Sequence, residues 1–139
     1  MKAREVKGLD PAAPLGVNAE RIVQTRVAEL LALAGPAFDP AATGAQHDLR
    51  IAAKRLRYLL ELTGPCLGAE AEAGRRAARE LQDVLGKLHD CDVMAPRVED
   101  VPSLRAFLRT RRELLFRRFR TLWEEQSERG VWAALASSG

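Results

Sequence analysis

The sequence contains few cysteines and few aromatic residues. Its two cysteines, Cys66 and Cys91, are too few for the disulfide framework that stabilises small secreted domains. Only 5% of the residues are aromatic, whereas 47% are hydrophobic and come mainly from Ala and Leu, which favours a helical core over a β-sandwich. No run of about 18 apolar residues occurs, and no apolar segment follows the charged start of the chain, so we expect neither a membrane-spanning helix nor a secretory signal. The composition therefore predicts an all-α protein of the cytoplasm.

Sequence motifs of catalysis are also missing. Serine occurs at four positions, and the sequence has no nucleophile motif, no glycine-rich phosphate loop and no HExxH metalloprotease motif. We therefore expect no enzymatic activity and no cofactor.

Apolar residues recur with helical spacing in four segments of the chain. The segments lie at about residues 19–34, 44–63, 69–89 and from 102 to between 130 and 132. We predict an up-down four-helix bundle that spans residues 18–136 as one domain, with an additional short helical turn near residues 92–98. Residues 1–17 are expected to form an irregular lead-in, and residues 137–139 a frayed tail.

Local sequence signals predict where the first three helices begin and end. Asn18 is a candidate N-cap for the first helix, and the Gly35-Pro36 pair is expected to end it. Thr43 and Gln46 have the spacing of a capping box at the start of the second helix. The Asp90-Cys91-Asp92 run is expected to interrupt the third helix.

The apolar stripes also predict which side chains form the core. They are Val23, Val27, Leu30, Leu31 and Ala34 on the first helix, and Leu104, Phe107, Leu108, Leu114, Leu115, Phe119 and Leu122 on the last. Phe116, Trp123 and Trp132 are candidates for apolar contacts outside the core. Pro102 is expected in the first turn of the last helix.

Basic residues cluster on one face of the second helix. Four of its residues project within an arc of about 80°, namely His47, Arg50, Lys54 and Arg57. Arg55 lies to one side of this arc. Arg50 and Lys54 are four residues apart and repel each other, so an anion outside the helix would stabilise this face. The alternative is a solvated face without a ligand.

The last helix carries seven arginines between residues 105 and 120, with Glu113 as the only acid among them. Four of them form one basic stripe: Arg105, Arg109, Arg112 and Arg120. Arg111 and Arg118 project close to the apolar side, where they extend to solvent or face a second bundle. Basic stripes on several helices favour a long anionic ligand.

Both histidines of the sequence are expected at the same end of the bundle. His47 lies near the start of the second helix, and His89, Asp90 and Asp92 lie at the end of the third. Neighbouring antiparallel helices bring these ends together. Three interpretations stay open. The residues cap the helix ends, they form a metal site, which needs three or four converging ligands, or they make a pH-sensitive contact with an anion.

Two segments resemble the signature motifs of the CHAD domain family, the conserved histidine α-helical domains. Residues 47–57 read His-Asp-Leu-Arg-Ile-Ala-Ala-Lys-Arg-Leu-Arg, and residues 81–93 read Leu-Gln-Asp-Val-Leu-Gly-Lys-Leu-His-Asp-Cys-Asp-Val. Lys7-Gly8-Leu9, followed by Pro14-Leu15, is also similar to the opening of these domains. Together the resemblance covers the chain from about residue 7 to residue 125.

The resemblance implies a helical fold, generally of two four-helix bundles, and binding of inorganic polyphosphate through basic residues. It points to His47, Arg50, Lys54 and Arg57 in the first motif, to Lys87 and His89 in the second, and more weakly to Asp90 and Asp92. Lys54 stands where arginine is usual in the family, which keeps the charge and loses the planar fork. Some family members accompany polyphosphate-metabolising enzymes or polyphosphate granules, so an association with granules is expected as well.

The residues and the resemblance together predict a non-catalytic protein that binds inorganic polyphosphate. The predicted binding residues are His47, Arg50, Lys54, Arg55, Arg57, Lys87, His89, Arg105, Arg109, Arg112 and Arg120. Alternatives with the same electrostatics are a nucleic-acid-binding bundle and an interaction module for an acidic protein. Because the chain supplies one bundle where the family usually has two, we also expect a homodimer.

Overall fold

The structure is a computed structural model that describes residues 2–137. All regular elements in this range are helical, and they comprise α1 (Leu15–Ala37), α2 (Thr43–Thr63), α3 (Ala69–Met94), α4 (Pro102–Glu128) and α5 (Val131–Ser137). Two 3₁₀ turns, at Gly64–Cys66 and Ala95–Val98, follow α2 and α3. The all-α prediction is confirmed, and the second turn lies within the region predicted for an additional short turn.

The helices pack as an up-down bundle with one helix more than predicted. α2 packs between α1 and α3, and short connections make these successive helices antiparallel. α4 returns along α3, and the short α5 packs against α1, α3 and α4. The core consists mainly of leucine and alanine side chains, and Phe119 is its largest fully buried member. Its fully buried leucines are Leu30, Leu49, Leu56, Leu60, Leu81, Leu85, Leu88 and Leu135.

α1 is longer than predicted at both ends. It begins at Leu15, so Asn18 lies inside the helix and does not cap it. The Asn18 side chain instead holds the preceding segment, donating to the Asp10 carbonyl (2.7 Å) and accepting from the Asp10 N–H (2.8 Å). At the other end, Gly35-Pro36 lies inside the last turn, and the helix continues to the fully buried Ala37. Pro36 removes one backbone N–H donor from the helix, and the packing of Ala37 in the core outweighs this loss.

The predicted capping box at the start of α2 is absent. The N-cap position is Ala42, and no side chain caps the helix. Gln46 is buried and reaches away from the helix start. Its amide nitrogen donates to the Asp39 carbonyl (3.0 Å), and its Oε1 accepts from Arg112 (2.6 Å). Gln46 therefore joins α2 to the preceding loop and to α4, which is a tertiary role that local spacing does not reveal.

α3 continues through the three residues predicted to interrupt it. The helix runs without a break to Met94, because two of these residues are held by tertiary contacts. Cys91 is buried in the core, and Asp92 forms an ion pair with Arg112 on α4 (2.6 Å). Both contacts form because Cys91 and Asp92 continue the helix, so tertiary packing outweighs the weak helix propensity of aspartate.

The last part of the chain forms two helices that meet at Gly130. Pro102 lies in the first turn of α4, as predicted, and the helix ends at Glu128. Gly130 adopts a positive φ of 72°, a conformation that glycine reaches without strain, and α5 follows it. Of the predicted frayed tail, Ser137 ends α5, and residues 138–139 lie outside the described residues.

Several predicted core positions are exposed. Leu31 on α1 and Leu104 on α4 face solvent, and Phe107 and Leu114 are 60% and 58% exposed. Residues 101–107, at the start of α4, are all exposed, so the apolar stripe of this helix is buried only from Leu115 onwards. Conversely, three aromatic residues predicted to make contacts outside the core contribute to it: Phe116 and Trp132 are buried, and Trp123 packs against the core with its ring 5.9 Å from that of Trp132.

Candidate functional site

The two histidines stack on each other across the contact between α2 and α3. The ring centroids of His47 and His89 lie 4.4 Å apart, and the ring planes differ by 21°. Both side chains are half-buried, and the Nδ1 atom of His47 is buried without a hydrogen-bond partner. The prediction that the start of the second helix meets the end of the third is therefore confirmed at these residues.

Arg50 lies beside the histidine pair, one turn along α2. A Cβ atom built on Gly86 of α3 would lie 3.7 Å from Arg50 Nε, so the arginine side chain passes over the bare backbone of this glycine. Gly86 precedes His89 by three residues and therefore lies on the adjacent turn of the same helix. The glycine of the second motif thus lets a basic side chain of the first motif lie close to α3.

Lys54 and Arg57 continue the row of cations along α2. Both are half-buried, and the Arg57 guanidinium carbon lies 4.6 Å from the centre of the Tyr58 ring. The row ends at a carboxylate, because Glu61 Oε1 lies 3.8 Å from Arg57 Nε. We call this surface the α2–α3 basic face, and it consists of His47, Arg50, Lys54 and Arg57 on α2 together with His89 on α3.

The environment of His47 lowers the pKa of its imidazole below the ordinary value of 6.5. Burial contributes most, followed by the adjacent His89 ring and the Arg50 guanidinium, while the Asp48 carboxylate acts in the opposite direction. Each of the first three disfavours a positive charge on the ring. His47 is therefore neutral near pH 7 in the free protein.

Arg55 lies on a different face of α2, towards α1. Its Nη1 atom lies 3.6 Å from Oε1 of Glu29, a carboxylate that is almost fully buried on α1. The other oxygen of Glu29 accepts the backbone N–H of Arg4 (2.8 Å) and lies 3.5 Å from Arg26. Arg55 therefore helps to hold the N-terminal segment and α1 against α2, and it does not belong to the α2–α3 basic face.

Arg112 is the centre of a network that joins four parts of the chain. Its Nε contacts Asp92 Oδ1 (2.6 Å), its Nη2 contacts Gln46 Oε1 (2.6 Å), and its Nη1 donates to the Pro40 carbonyl (2.8 Å). These bonds connect α4 to α3, to α2 and to the α1–α2 loop. The planar guanidinium presents donors in three directions, which lysine does not. The sequence pattern indicated a basic stripe here but not this network.

The other predicted cations lie apart from the histidine pair. Arg105, Arg109 and Arg120 are exposed on α4, and the first two line a cavity between α3 and α4. Lys87 is exposed on the side of α3 that faces α4, where it lines a groove with Arg118 and with three acids, Glu80, Asp83 and Glu125. The structure therefore distributes the predicted binding residues over several surfaces rather than one.

The acids near the histidines do not join them in a cluster. Asp92 is bonded to Arg112, and Asp90 is exposed. Within residues 2–137, no group of three or more histidine, cysteine, aspartate or glutamate side chains could hold a metal ion. In the same range, none of the helices combines the length and the apolar character needed to cross a membrane.

A comparison with protein families found a match for this chain. A family model described as CHAD domain matches residues 2–99, which is more than two thirds of the chain and includes α1, α2, α3 and both motifs. α4 and α5 lie beyond the matched range. The search of curated proteins and the search of solved structures each returned no match.

Proposed function

The chain belongs to the CHAD domain family, and from this premise we propose that it binds inorganic polyphosphate without catalysing a reaction. The observation that supports the proposal most strongly is the α2–α3 basic face. Three cations and two stacked imidazoles lie on this face, and Glu61 forms an ion pair with Arg57 at its end.

The dimensions and chemistry of the face suit a linear polyanion. The eleven residues from His47 to Arg57 span about 15 Å along a helix, which is room for several phosphate groups in a row. Polyphosphate carries about one negative charge per phosphate and no bases, so it requires cationic donors and no surface for base stacking. Arg50 and Arg57 supply such donors. Because both side chains are half-buried, part of the entropic cost of ordering them is incurred before the ligand binds.

Reversal of two charges on the face tests the proposal. We expect Arg50→Glu with Arg57→Glu to weaken binding of long-chain polyphosphate by about tenfold or more, because two cations are replaced by anions at the ligand. The measurement is a titration of labelled polyphosphate at fixed salt, with circular dichroism to establish that the helices are retained.

A matched variant controls for net charge. Arg97 and Arg117 are exposed and lie outside the α2–α3 basic face, so Arg97→Glu with Arg117→Glu changes the total charge by the same amount. The control pair should weaken binding much less, since it alters only the long-range field. Equal losses in the two double variants would show that the face is not the binding site.

Two other ligands share the same electrostatics. A nucleic acid would contact the basic face through its phosphates, and an acidic protein would contact it through its carboxylates. Tyr58 borders the face and is half exposed, but the Arg57 guanidinium already covers its ring. Polyphosphate is favoured because the face offers charge and hydrogen-bond donors without a free stacking platform. We also propose that the protein works in the cytoplasm, in association with polyphosphate granules.

The protein is also proposed to form a homodimer through α4. Phe107 and Leu114 are exposed on this helix and line a shallow cavity with Arg111 and Arg118. Exposed apolar patches of this kind are typical of contact surfaces.

The charges of this surface support a second copy of the chain as the partner, because the surface carries both cations and anions. Arg118 also borders the adjoining groove, where Glu80, Asp83 and Glu125 supply carboxylates. The apolar residues Phe107 and Leu114 are therefore flanked by the two arginines, and the carboxylates of the adjoining groove lie beyond Arg118. A twofold axis would place the cations of each copy against the carboxylates of the other.

A further inference from the structure

We propose that the stacked His47–His89 pair takes up a proton when a polyanion binds the α2–α3 basic face, so that binding tightens as the pH falls. This inference rests on the proposed function, since it concerns the same surface and the same class of ligand. It adds a specific role for the two histidines, which neither the arginines nor the lysine of the face can perform in this pH range.

The geometry of the pair opposes double protonation in the free protein. The ring centroids are 4.4 Å apart and the planes are nearly parallel, so two imidazolium ions would repel each other at short range. A positive charge on His89 therefore disfavours a proton on His47. The buried, unpartnered Nδ1 of His47 adds to this effect, because the charged ring would lose solvation there.

Two of the three charged groups named around His47 act in the same direction, and Asp48 acts against them. On its own helix, Arg50 disfavours a proton on the ring and Asp48 favours it, and from α3 the facing group is His89. The combined effect with burial lowers the pKa of His47 in the free protein. At a given pH, His47 of the free protein therefore carries less positive charge than an isolated histidine.

A bound polyanion reverses this balance. Phosphates held by Arg50 and Lys54 place negative charge beside the stack, which offsets the repulsion between the rings and raises the pKa of His47. Binding and protonation are then linked, and each favours the other by the same factor. Affinity should rise as the pH falls through the range between the pKa values of the bound and free protein and should level off above and below it.

The experiment measures proton uptake directly. Long-chain polyphosphate is titrated into the full chain by calorimetry near pH 6, in two buffers that differ in ionisation enthalpy, so that the difference in heat gives the number of protons taken up. We expect net uptake by the wild type and affinity about three- to tenfold higher at pH 5.5 than at pH 7.5, which corresponds to a pKa rise of about half to one unit.

Two variants separate the histidines from the rest of the face. His47→Gln with His89→Gln should bind more weakly and take up almost no protons, and it also measures any protons contributed by the polymer ends. Lys54→Gln removes one cation that does not titrate in this range, so it should weaken binding while proton uptake persists.

Nuclear magnetic resonance gives an independent readout, because the sequence contains two histidines and their ring signals are readily distinguished. The His47 signal should titrate at higher pH when polyphosphate is present. Binding by the wild type with no proton uptake, or with uptake equal to that of the double histidine variant, would overturn this inference and leave the proposed function in place. No binding at any pH from 5.5 to 7.5 would overturn the proposed function and the inference with it.

Discussion

At the scale of single residues, His47 makes the stability of the bundle depend on pH. Its pKa is lowered in the folded protein, chiefly by burial and then by His89 and Arg50. Between that lowered value and the ordinary value of 6.5, the unfolded chain binds more protons than the folded one. Stability is therefore highest above pH 6.5 and falls as the pH decreases through this range, levelling off below the folded-state pKa.

This dependence is measurable by denaturation without any ligand. We expect the urea midpoint of the wild type to decrease between about pH 7.5 and pH 5.5, and the decrease to be smaller in His47→Gln, which carries no titrating ring. The comparison stays above the range in which most carboxylates titrate. An identical decrease in wild type and variant would show that His47 is not the cause.

The sequence predicted the meeting of the two histidines but not the contacts around them. His47 and His89 could be placed together because both are near ends of helices that a short connection makes antiparallel. The partners of Arg55 and Arg112 could not be predicted, since Glu29 and Gln46 reach them only through the tertiary packing. Glu29 offers one sequence signal for such a partner, because a carboxylate that is buried within an apolar helix face requires a cation nearby.

At the scale of helices, the close contact between α3 and α5 depends on the absence of a side chain at Gly74. A Cβ atom there would lie 2.5 Å from Leu135 Cδ1 and 3.2 Å from Leu135 Cγ. Leu135 is fully buried, so it has little room to move away. Gly74 therefore sets the distance at which α5 packs on the bundle.

Substitution of this glycine should displace α5. We expect Gly74→Val to lower the free energy of unfolding by about 1–3 kcal/mol through overpacking. Gly44→Val is the matched control, because a Cβ at Gly44 of α2 has nothing within 4 Å. Leu135→Ala should reduce the effect of Gly74→Val in a double-mutant cycle, measured by chemical denaturation. Additive losses in that cycle would exclude a direct clash between the two residues.

The sequence predicted which segments are helical more reliably than where each helix begins and ends. The periodic segments placed α1 to α4 correctly, because the spacing of leucine and alanine reflects the face that each helix buries. Four end signals failed, at Asn18, at Gly35-Pro36, at Thr43 and at Asp90–Asp92, since tertiary bonds and core contacts outweighed the local signals. α5 was not separated from α4, although Gly130 marks the boundary between them.

At the scale of the whole molecule, the exposed apolar residues of α4 predict self-association. We expect light scattering to give twice the 15.3 kDa mass of the chain at high protein concentration, and the dimer to be more stable when polyphosphate is bound. Ligand binding reduces the repulsion between two basic subunits, which explains the expected increase.

Exposed positions allow a variant that affects the interface alone. Phe107→Ser with Leu114→Ser should abolish the dimer and leave the melting temperature of the monomer nearly unchanged, because neither side chain is in the core. The pair Leu31→Ser with Leu62→Ser, at exposed leucines on other helices, is the control. A wild-type chain that remains monomeric with and without polyphosphate would contradict the proposed interface.

The most direct test of polyphosphate binding is a competition experiment. Labelled long-chain polyphosphate is bound to the wild-type chain at physiological salt and displaced by unlabelled polyphosphate, duplex DNA, single-stranded RNA or an acidic peptide, each at the same concentration of negative charge. A basic face without a stacking platform predicts that polyphosphate competes best and that its affinity falls steeply with added salt. Displacement by DNA, RNA or the acidic peptide at lower charge concentration than polyphosphate would contradict the proposed ligand.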